Sequence, residues 1–247
     1  MYVGDLVLNN SGEVEFITSS KQPIRDFPLS MEENQKTEGA LEIYEMPVKI
    51  NGKIPEGRYI IGLDNYENDA AKSMSLGSMF VLDLFTDRIV AEYTGRPPFA
   101  DDLNERCRLL CLFYNARCLY ESNKKNTYAY FSRMHGLSLL ADTPEYLRQK
   151  QLIKYSSWGN SSKGVQATVP IKAFGFGLIR DWLLKPVVTE IKSDEGETIQ
   201  VTVPNLYYIK SRALLKELAG FNPDGNFDRL MSLLQVMLYR EEKMILY

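Results

Sequence analysis

The sequence is poor in the residues that carry several common kinds of catalysis. Its 247 residues include one histidine, His135, and three cysteines. A Ser-His-Asp triad and a histidine-rich zinc site are therefore poor fits. We expect His135, which precedes Gly136, to contact a helix C-terminus rather than to act as a general base. A metal site in this chain would use acidic oxygen ligands, which favour magnesium or manganese.

Several signature sequences are absent as well. The chain has no Gly-x-x-x-x-Gly-Lys-Ser/Thr loop, no Gly-x-Ser-x-Gly elbow and no Cys-x-x-Cys pair. Nucleotide hydrolysis of the P-loop kind is thereby excluded. The spacing of Cys107, Cys111 and Cys118 fits neither a disulfide framework nor a metal site, so we interpret them as reduced core thiols.

Long apolar runs are also missing. No run approaches the roughly 18 to 20 residues that span a bilayer, and the N-terminus lacks the basic and apolar regions of a secretion signal. We therefore expect no membrane association and a cytoplasmic location. The composition, 45% hydrophobic and 25% charged, allows one substantial core or one core plus a small appendage. The net charge of −3 argues weakly against a general polyanion-binding surface, but a local basic patch could still bind nucleic acid.

Carboxylates mark the ends of apolar stretches at three places. The run Arg58–Asp64 predicts a central strand that ends in an acid, and 116–121 predicts a second strand that ends in Glu121. The stretch 225–229 opens an amphipathic helix with Asp228. Three acids at the edges of buried elements suggest a site for a divalent metal ion.

Each of these acids has a simpler interpretation. Asp64 could be a turn former, and Asp228 could favour a helix N-terminus electrostatically, where Asp224 is the better cap candidate. Glu121 is harder to explain in this way, because a glutamate at the end of a buried strand is costly unless it is paired or metal-bound. Two further acids, Asp83 and Asp87, belong to a predicted hairpin, and we expect them to be solvated turn carboxylates.

The hydrophobic periodicity predicts a mixed α/β fold. A β-hairpin in residues 1–20 and a polar connector come first, followed by an edge strand at 42–48, the central strand and a hairpin at 79–94. Helical patterns then alternate with strands at 116–121 and 137–140, and a second hairpin at 187–203 precedes the last helix at 226–241. Three antiparallel strands followed by helical crossovers give a mixed sheet with helices on both faces, the order of the ribonuclease H-like fold.

Basic side chains around the second acidic strand suggest a groove for phosphates. The candidates for DNA contact are Lys124, Lys125, Arg133, Lys154, Lys163, Lys172 and Arg180. The alternative is an ordinary solvated surface, because charges are common on loops and helices.

Several stretches, taken together, resemble the nuclease domain of the large terminase subunits of tailed bacteriophages. They are Tyr44-Glu45-Met46-Pro47, Pro55 to Asp64, Tyr114-Asn115-Ala116 leading to Glu121-Ser122-Asn123, Leu215 to Leu218, and Asn222 to Leu233. The resemblance covers roughly residues 40 to 241. It implies a ribonuclease H-like nuclease domain at 41–247, preceded by a hairpin and interdomain-type connector at 1–40.

The resemblance implies a function and its partners. It implies an endonuclease that uses two magnesium or manganese ions to cut concatemeric viral double-stranded DNA during genome packaging in the host cytoplasm. The catalytic and metal-binding residues would be Asp64, Glu121 and Asp228, with Asp224 as an auxiliary ligand. The implied partners are double-stranded DNA, a packaging ATPase domain, the portal and the small terminase. The ATPase has no counterpart in this sequence.

Two other functions remain open from the residues. The chain could be another ribonuclease H-like nuclease, such as a junction resolvase or a transposase core. It could also be a catalytically inactive docking module that binds a portal or capsid protein through its N-terminal hairpin.

Overall fold

Seven strands form one mixed sheet, and two further strands form a separate hairpin. The computed structural model describes residues 1–27, 37–66, 75–153, 163–192, 197–222 and 225–246. The strands in these ranges are β1 Tyr2–Leu8, β2 Val14–Thr18, β3 Leu41–Ile43, β4 Tyr59–Asp64, β5 Gly77–Asp83, β6 Arg88–Gly95, β7 Arg117–Tyr120, β8 Pro186–Lys192 and β9 Thr198–Pro204. The α-helices are α1 Ala100–Tyr114, α2 Asn126–Arg133, α3 Glu145–Gln149, α4 Val169–Leu184, α5 Arg212–Ala219 and α6 Asp228–Leu246.

The strand order of the large sheet is β2-β1-β3-β6-β5-β4-β7. Strands β4, β5 and β6 form an antiparallel meander, and the chain then crosses through α1 to β7, which lies parallel to β4. An antiparallel meander extended on its first strand by a parallel crossover is the core arrangement of the ribonuclease H-like fold. The predicted fold class is confirmed.

Helices cover both faces of this sheet, as the periodicity predicts. On one face Ile61 and Leu63 of β4 pack in a core with Leu103 and Leu110 of α1. The neighbouring side chains of the strands point the other way, so that Ile60 packs in a second core with residues of α4 and α6. The three cysteines are free and buried in the first core, which confirms their interpretation as core thiols.

The N-terminal hairpin is part of the large sheet. Strand β1 pairs with β2 and, on its other side, with β3, where Tyr2 lies opposite Ile43. Asp5 of β1 also forms an ion pair of 2.5 Å with Arg106 of α1. The hairpin therefore extends the sheet and contacts the helix that covers it.

Two strand predictions are wrong. The stretch 42–48 does not form an edge strand. The strand there, β3, covers only Leu41–Ile43, and it lies inside the sheet because β1 pairs with it on the side away from β6. The stretch 137–140 does not form a regular strand, because Leu137–Leu139 make a 3-10 turn and Leu140 makes a single parallel bridge to Cys118. The second hairpin and the late helix follow the prediction.

The prediction of solvated carboxylates in the β5–β6 hairpin is also wrong. Asp83 is buried and receives hydrogen bonds from both Nε and Nη2 of Arg58. Asp87, at a turn position with φ 57°, accepts two hydrogen bonds of 2.7 Å from Arg240 of α6 and one of 2.8 Å from Lys185. Burial acts to raise the pKa of Asp87, but these hydrogen bonds outweigh it and lower the pKa. Asp87 therefore connects the hairpin to the helices that pack above it.

A glycine fixes the position of α6 on the sheet. A Cβ atom on Gly62 would lie 2.5 Å from the Ser232 carbonyl oxygen and 2.5 Å from the Val236 amide nitrogen. The helix backbone thus rests directly on β4, and the Ser232 hydroxyl donates to the Gly62 carbonyl at 3.0 Å. Asp228 lies one helical turn before Ser232, and Asp64 lies two residues after Gly62. This contact therefore places the start of α6 over the end of β4.

Among the helices of the described residues, none combines the length and the hydrophobicity that a membrane-spanning helix requires.

Candidate active site

Two of the three predicted acids lie side by side at the edge of the sheet. All six residues of β4 are buried, including the last, Asp64. Strand β7 runs parallel to β4 with Tyr120 opposite Leu63. The residues that follow, Glu121 and Asp64, are therefore neighbours at the same end of adjacent strands, and both are buried.

Asp228, the third acid, opens α6 and is held by the segment that precedes β5. Its Oδ1 accepts a hydrogen bond of 2.9 Å from the Ser75 hydroxyl. Its Oδ2 accepts one of 3.0 Å from the Leu76 amide and one of 3.2 Å from the Asn226 side chain. Burial raises the pKa of Asp228, and these hydrogen bonds act in the opposite direction. Asp228 is therefore fixed at the start of α6 by its own set of donors.

Lys124 lies between the two strand-end acids. Its Nζ donates to Asp64 Oδ1 at 3.0 Å and lies 3.0 Å from Glu121 Oε2. It also donates to the main-chain carbonyl of Asn65. The sequence predicts Lys124 as a phosphate contact, and the structure places its ammonium group in contact with the acids.

The three carboxylates influence one another. Burial, together with the negative charges of Asp228 and Glu121, raises the pKa of Asp64 to about 8, although the Lys124 ammonium acts to lower it. Burial also acts to raise the pKa of Glu121, but Lys124, a hydrogen bond from Asn123 and the charge of Lys172 together lower it. The charge of Asp64 thus interacts with the charges of both other acids, and its ionised form is disfavoured.

A buried polar network fixes the chain just after Asp64. The Asn65 side-chain amide donates to Asn126 at 3.0 Å and to the Thr127 hydroxyl at 2.6 Å. Thr127 donates in turn to Asn104 of α1 at 2.8 Å. The end of β4 is therefore connected to α2 and α1 by side chains. The sequence analysis did not predict this role for Asn65, and its signal was a polar residue directly after a buried strand.

The start of α6 is anchored by a buried arginine. Arg229 is 1% exposed, and its Nε donates to Glu92 Oε1 of β6 at 2.6 Å. It also donates to Glu217 of α5 at 3.2 Å and to the Ile24 carbonyl. Because a buried charge needs such partners, Arg229 fixes the position of its neighbour Asp228.

The predicted DNA contacts are spread over several surfaces. Lys172 acts on Glu121 through its charge and so lies near the acids. Arg133, at the far end of α2, forms an ion pair with Asp101, and the exposed Arg180 forms one with Asp181. The role of all these basic residues in binding DNA stays a prediction.

Three further predicted residues complete this set. Lys163 donates to the Leu140 carbonyl at 2.9 Å and forms an ion pair with Asp142. Lys125 is exposed and lies next to Lys124 at the start of α2. Lys154, like the predicted auxiliary acid Asp224, lies outside the described residues.

The donor chemistry of this site fits a hard divalent cation. Three carboxylates, from β4, the end of β7 and α6, offer the oxygen ligands that magnesium and manganese prefer. Within the described ranges, however, no group of three or more acidic, histidine or cysteine side chains is already placed to hold a metal ion. In this structure Asp64 and Glu121 are instead in contact with the ammonium group of Lys124. The ligand types fit, and Lys124 neutralises part of their charge.

His135 lies exposed after α2, with φ 52°, and its amide donates to the Ser132 carbonyl at 3.2 Å. This position agrees with the predicted contact at a helix C-terminus.

Comparisons with known proteins give matches among solved structures. No family model and no curated protein matches the chain. The chain is similar to the large terminase nuclease from thermophilic phage G20c with bound magnesium, at 15% identity over 83% of this chain and 88% of that chain, with a TM-score of 0.42. It is also similar to the same nuclease with bound zinc, at 20% identity over 82% of this chain and 88% of that chain, with a TM-score of 0.43. For a third structure of that nuclease the identity is 15% over 82% of this chain and 88% of that chain, and the TM-score is 0.36. These three structures are all of the large terminase nuclease of one phage.

Proposed function

We propose that this protein is a metal-dependent DNA endonuclease that hydrolyses phosphodiester bonds. The observation that carries the proposal is the position of Asp64 and Glu121, which are buried at the same end of two adjacent strands. The charge of Asp228, at the start of α6, also helps to raise the pKa of Asp64. Buried carboxylates that repel one another destabilise a fold unless a cation compensates them. Their burial on three separate elements supports a cation-binding role.

Asp64, Glu121 and Asp228 would hold the divalent cations, which we propose to be two magnesium or manganese ions. When bound, such ions supply an activated water and stabilise charge on the leaving oxygen. The protein contributes the rigid frame. Asp64 is fixed by β4 and by the Asn65 network, and Asp228 is fixed by Ser75 and Leu76.

The positive charge beside the acids supports a polyanionic substrate. Lys124 contacts the acids directly, and Lys172 lies close enough to lower the pKa of Glu121. We propose that Lys172 and the other predicted basic residues contact the DNA backbone. Binding of this kind is largely independent of sequence and weakens steeply as the salt concentration rises.

The resemblance of the sequence to large terminase subunits supports a more specific role. We propose that the substrate is concatemeric viral double-stranded DNA, cut during genome packaging in the host cytoplasm. The partners would then be a packaging ATPase domain, the portal and the small terminase.

The test is the cleavage of supercoiled plasmid in the presence of manganese or magnesium. Wild-type protein should nick and linearise the plasmid, and chelation of the metal should stop the reaction. Asp64→Asn removes one anionic ligand and should abolish cleavage while its circular dichroism spectrum stays unchanged. Asp26→Asn, at an exposed aspartate paired with Lys216, is the matched control and should cut like the wild type.

The same assay distinguishes the alternatives. Full cleavage by Asp64→Asn would remove the central assignment. A wild-type protein that leaves the plasmid supercoiled under all metal conditions would favour an inactive docking module. Preference for branched DNA or strand-transfer activity would favour a resolvase or transposase core.

A further inference from the structure

Lys124 occupies a position surrounded by oxygen atoms. It lies in the short segment between β7 and α2, and its ammonium group contacts one carboxylate oxygen of Asp64, one of Glu121 and the main-chain carbonyl of Asn65. Its side chain is 23% exposed, so most of it is withdrawn from water. A single cationic nitrogen thus contacts three oxygen atoms from three residues.

These contacts compensate an unfavourable arrangement. Asp64 and Glu121 are buried neighbours with like charge, and their repulsion is strong where water is excluded. Arg229, a further basic residue near the site, is engaged by Glu92, Glu217 and the Ile24 carbonyl. Within the described part of the chain, Lys124 is therefore the basic residue that forms ion pairs with these two acids.

The position of Lys124 conflicts with a cation shared by the same two acids. Asp64 Oδ1 and Glu121 Oε2 each lie 3.0 Å from the same nitrogen, so the two oxygens are separated by no more than twice that distance. Magnesium and manganese bind carboxylate oxygens at roughly 2.0 to 2.2 Å. An ion that binds both oxygens would therefore lie within about 5 Å of the ammonium nitrogen and would share its two carboxylate partners, so the two positive charges would repel each other.

We propose that Lys124 is a resident counter-cation of the site. It holds Asp64 and Glu121 together in the absence of a divalent cation, and it must withdraw when a divalent cation binds to both. The inference rests on the proposed function, because it takes the acids to be cation ligands. Lys124 thus sets the cation concentration at which the site fills.

The test compares the binding of manganese to wild-type protein and to Lys124→Met by isothermal titration calorimetry at constant ionic strength. Methionine is similar in length to lysine but carries no charge. The manganese affinity of Lys124→Met should exceed that of the wild type on the order of tenfold, because the ion no longer displaces an ammonium group. Without divalent cations the same variant should melt at a lower temperature than the wild type, since the acids then lack their counter-charge.

A control and a measurement on unaltered protein accompany this comparison. Lys53→Met removes a charge from an exposed turn before β4, at the opposite end of the strand from Asp64, and should leave manganese affinity unchanged. In wild-type protein, the labelling of Lys124 by an amine-reactive reagent, followed by mass spectrometry, should increase when manganese is added, whereas the labelling of Lys53 should not. This measurement does not depend on the folding of any variant.

The outcomes separate the inference from the proposed function. If Lys124→Met binds manganese with wild-type or weaker affinity, or if the labelling of Lys124 does not increase, Lys124 is not displaced and the inference is overturned while the metal site stands. If neither wild-type protein nor Lys124→Met binds manganese, the proposed function itself fails and the inference fails with it. A gain of affinity cannot arise from general damage to the fold, so it would support the inference specifically.

Discussion

Gly62→Ala tests whether the position of α6 on β4 builds the candidate site. The added methyl group would lie 2.5 Å from two backbone atoms of α6, the Ser232 carbonyl oxygen and the Val236 amide nitrogen. Backbone atoms within a helix cannot move individually, so the helix as a whole must lift from the strand. Overpacking of a close-packed core costs roughly 1 to 3 kcal/mol and occasionally more, and we expect a value near the upper end here.

The expected loss is large enough to measure by thermal denaturation. For a chain of this size, 1 kcal/mol corresponds to about 2 to 4 °C in melting temperature, so Gly62→Ala should lower the Tm by about 6 to 12 °C. The displacement of α6 should also move Asp228 away from Asp64 and weaken manganese binding. Both effects should occur together, because one contact controls both.

Two controls make the experiment decisive. Gly177→Ala adds the same methyl group to α4, where, apart from the adjoining residues and the backbone of the helix itself, no atom lies within 4 Å of the new Cβ. It should leave stability unchanged or raise it by up to about 1 kcal/mol, since alanine favours a helix. Val236→Ala combined with Gly62→Ala should not restore stability, because the clash is with the backbone. A Gly62→Ala protein that melts like the wild type would refute the close contact on which this reasoning depends.

The remaining predictions concern buried ion pairs. Asp87→Asn keeps a residue that tolerates the left-handed turn but removes the charge that Arg240 and Lys185 bind. The free energy of unfolding, measured by urea denaturation at pH 7, should fall by about 2 to 3 kcal/mol. Because the pKa of Asp87 is lowered by folding, its contribution is present above the unfolded pKa of about 3.9 and is lost as the pH falls through the lower folded value. The stability difference between the two proteins should therefore shrink below about pH 4, and a constant difference would contradict the pairing. Arg229→Met leaves Glu92 and Glu217 buried without their partner and should cost about 3 to 5 kcal/mol, whereas an unchanged Tm would show that the arginine contributes little.

The sequence predicts the elements of the fold well because most of them carry a clear period. The last helix, predicted at 226–241, spans Asp228–Leu246. The interior position of β3 could not be predicted, because it depends on pairing with β1 from a distant part of the chain. Local patterns describe which residues form a strand, but they contain no information about which strands become neighbours.

The same distinction applies to the candidate site. Asp64 and Glu121 could be found because each ends an apolar run, and their proximity follows from the parallel pairing of β4 with β7. The contact of Lys124 with both could not be found, since it depends on the course of the segment after Glu121 and on the direction of a long side chain. Asp87 shows the opposite error. Its position in a turn suggests exposure, but α4 and α6 pack over it and supply its partners.

The anchoring of Arg229 has a consequence for the local opening of the protein. Terminal turns of helices commonly fray, because their first amide groups lack partners within the helix. Here the second residue of α6 is joined to the connector at Ile24, to β6 at Glu92 and to α5 at Glu217. Fraying of this end would break contacts with all three regions at once, so its amide hydrogens should exchange with solvent as slowly as those of the sheet interior.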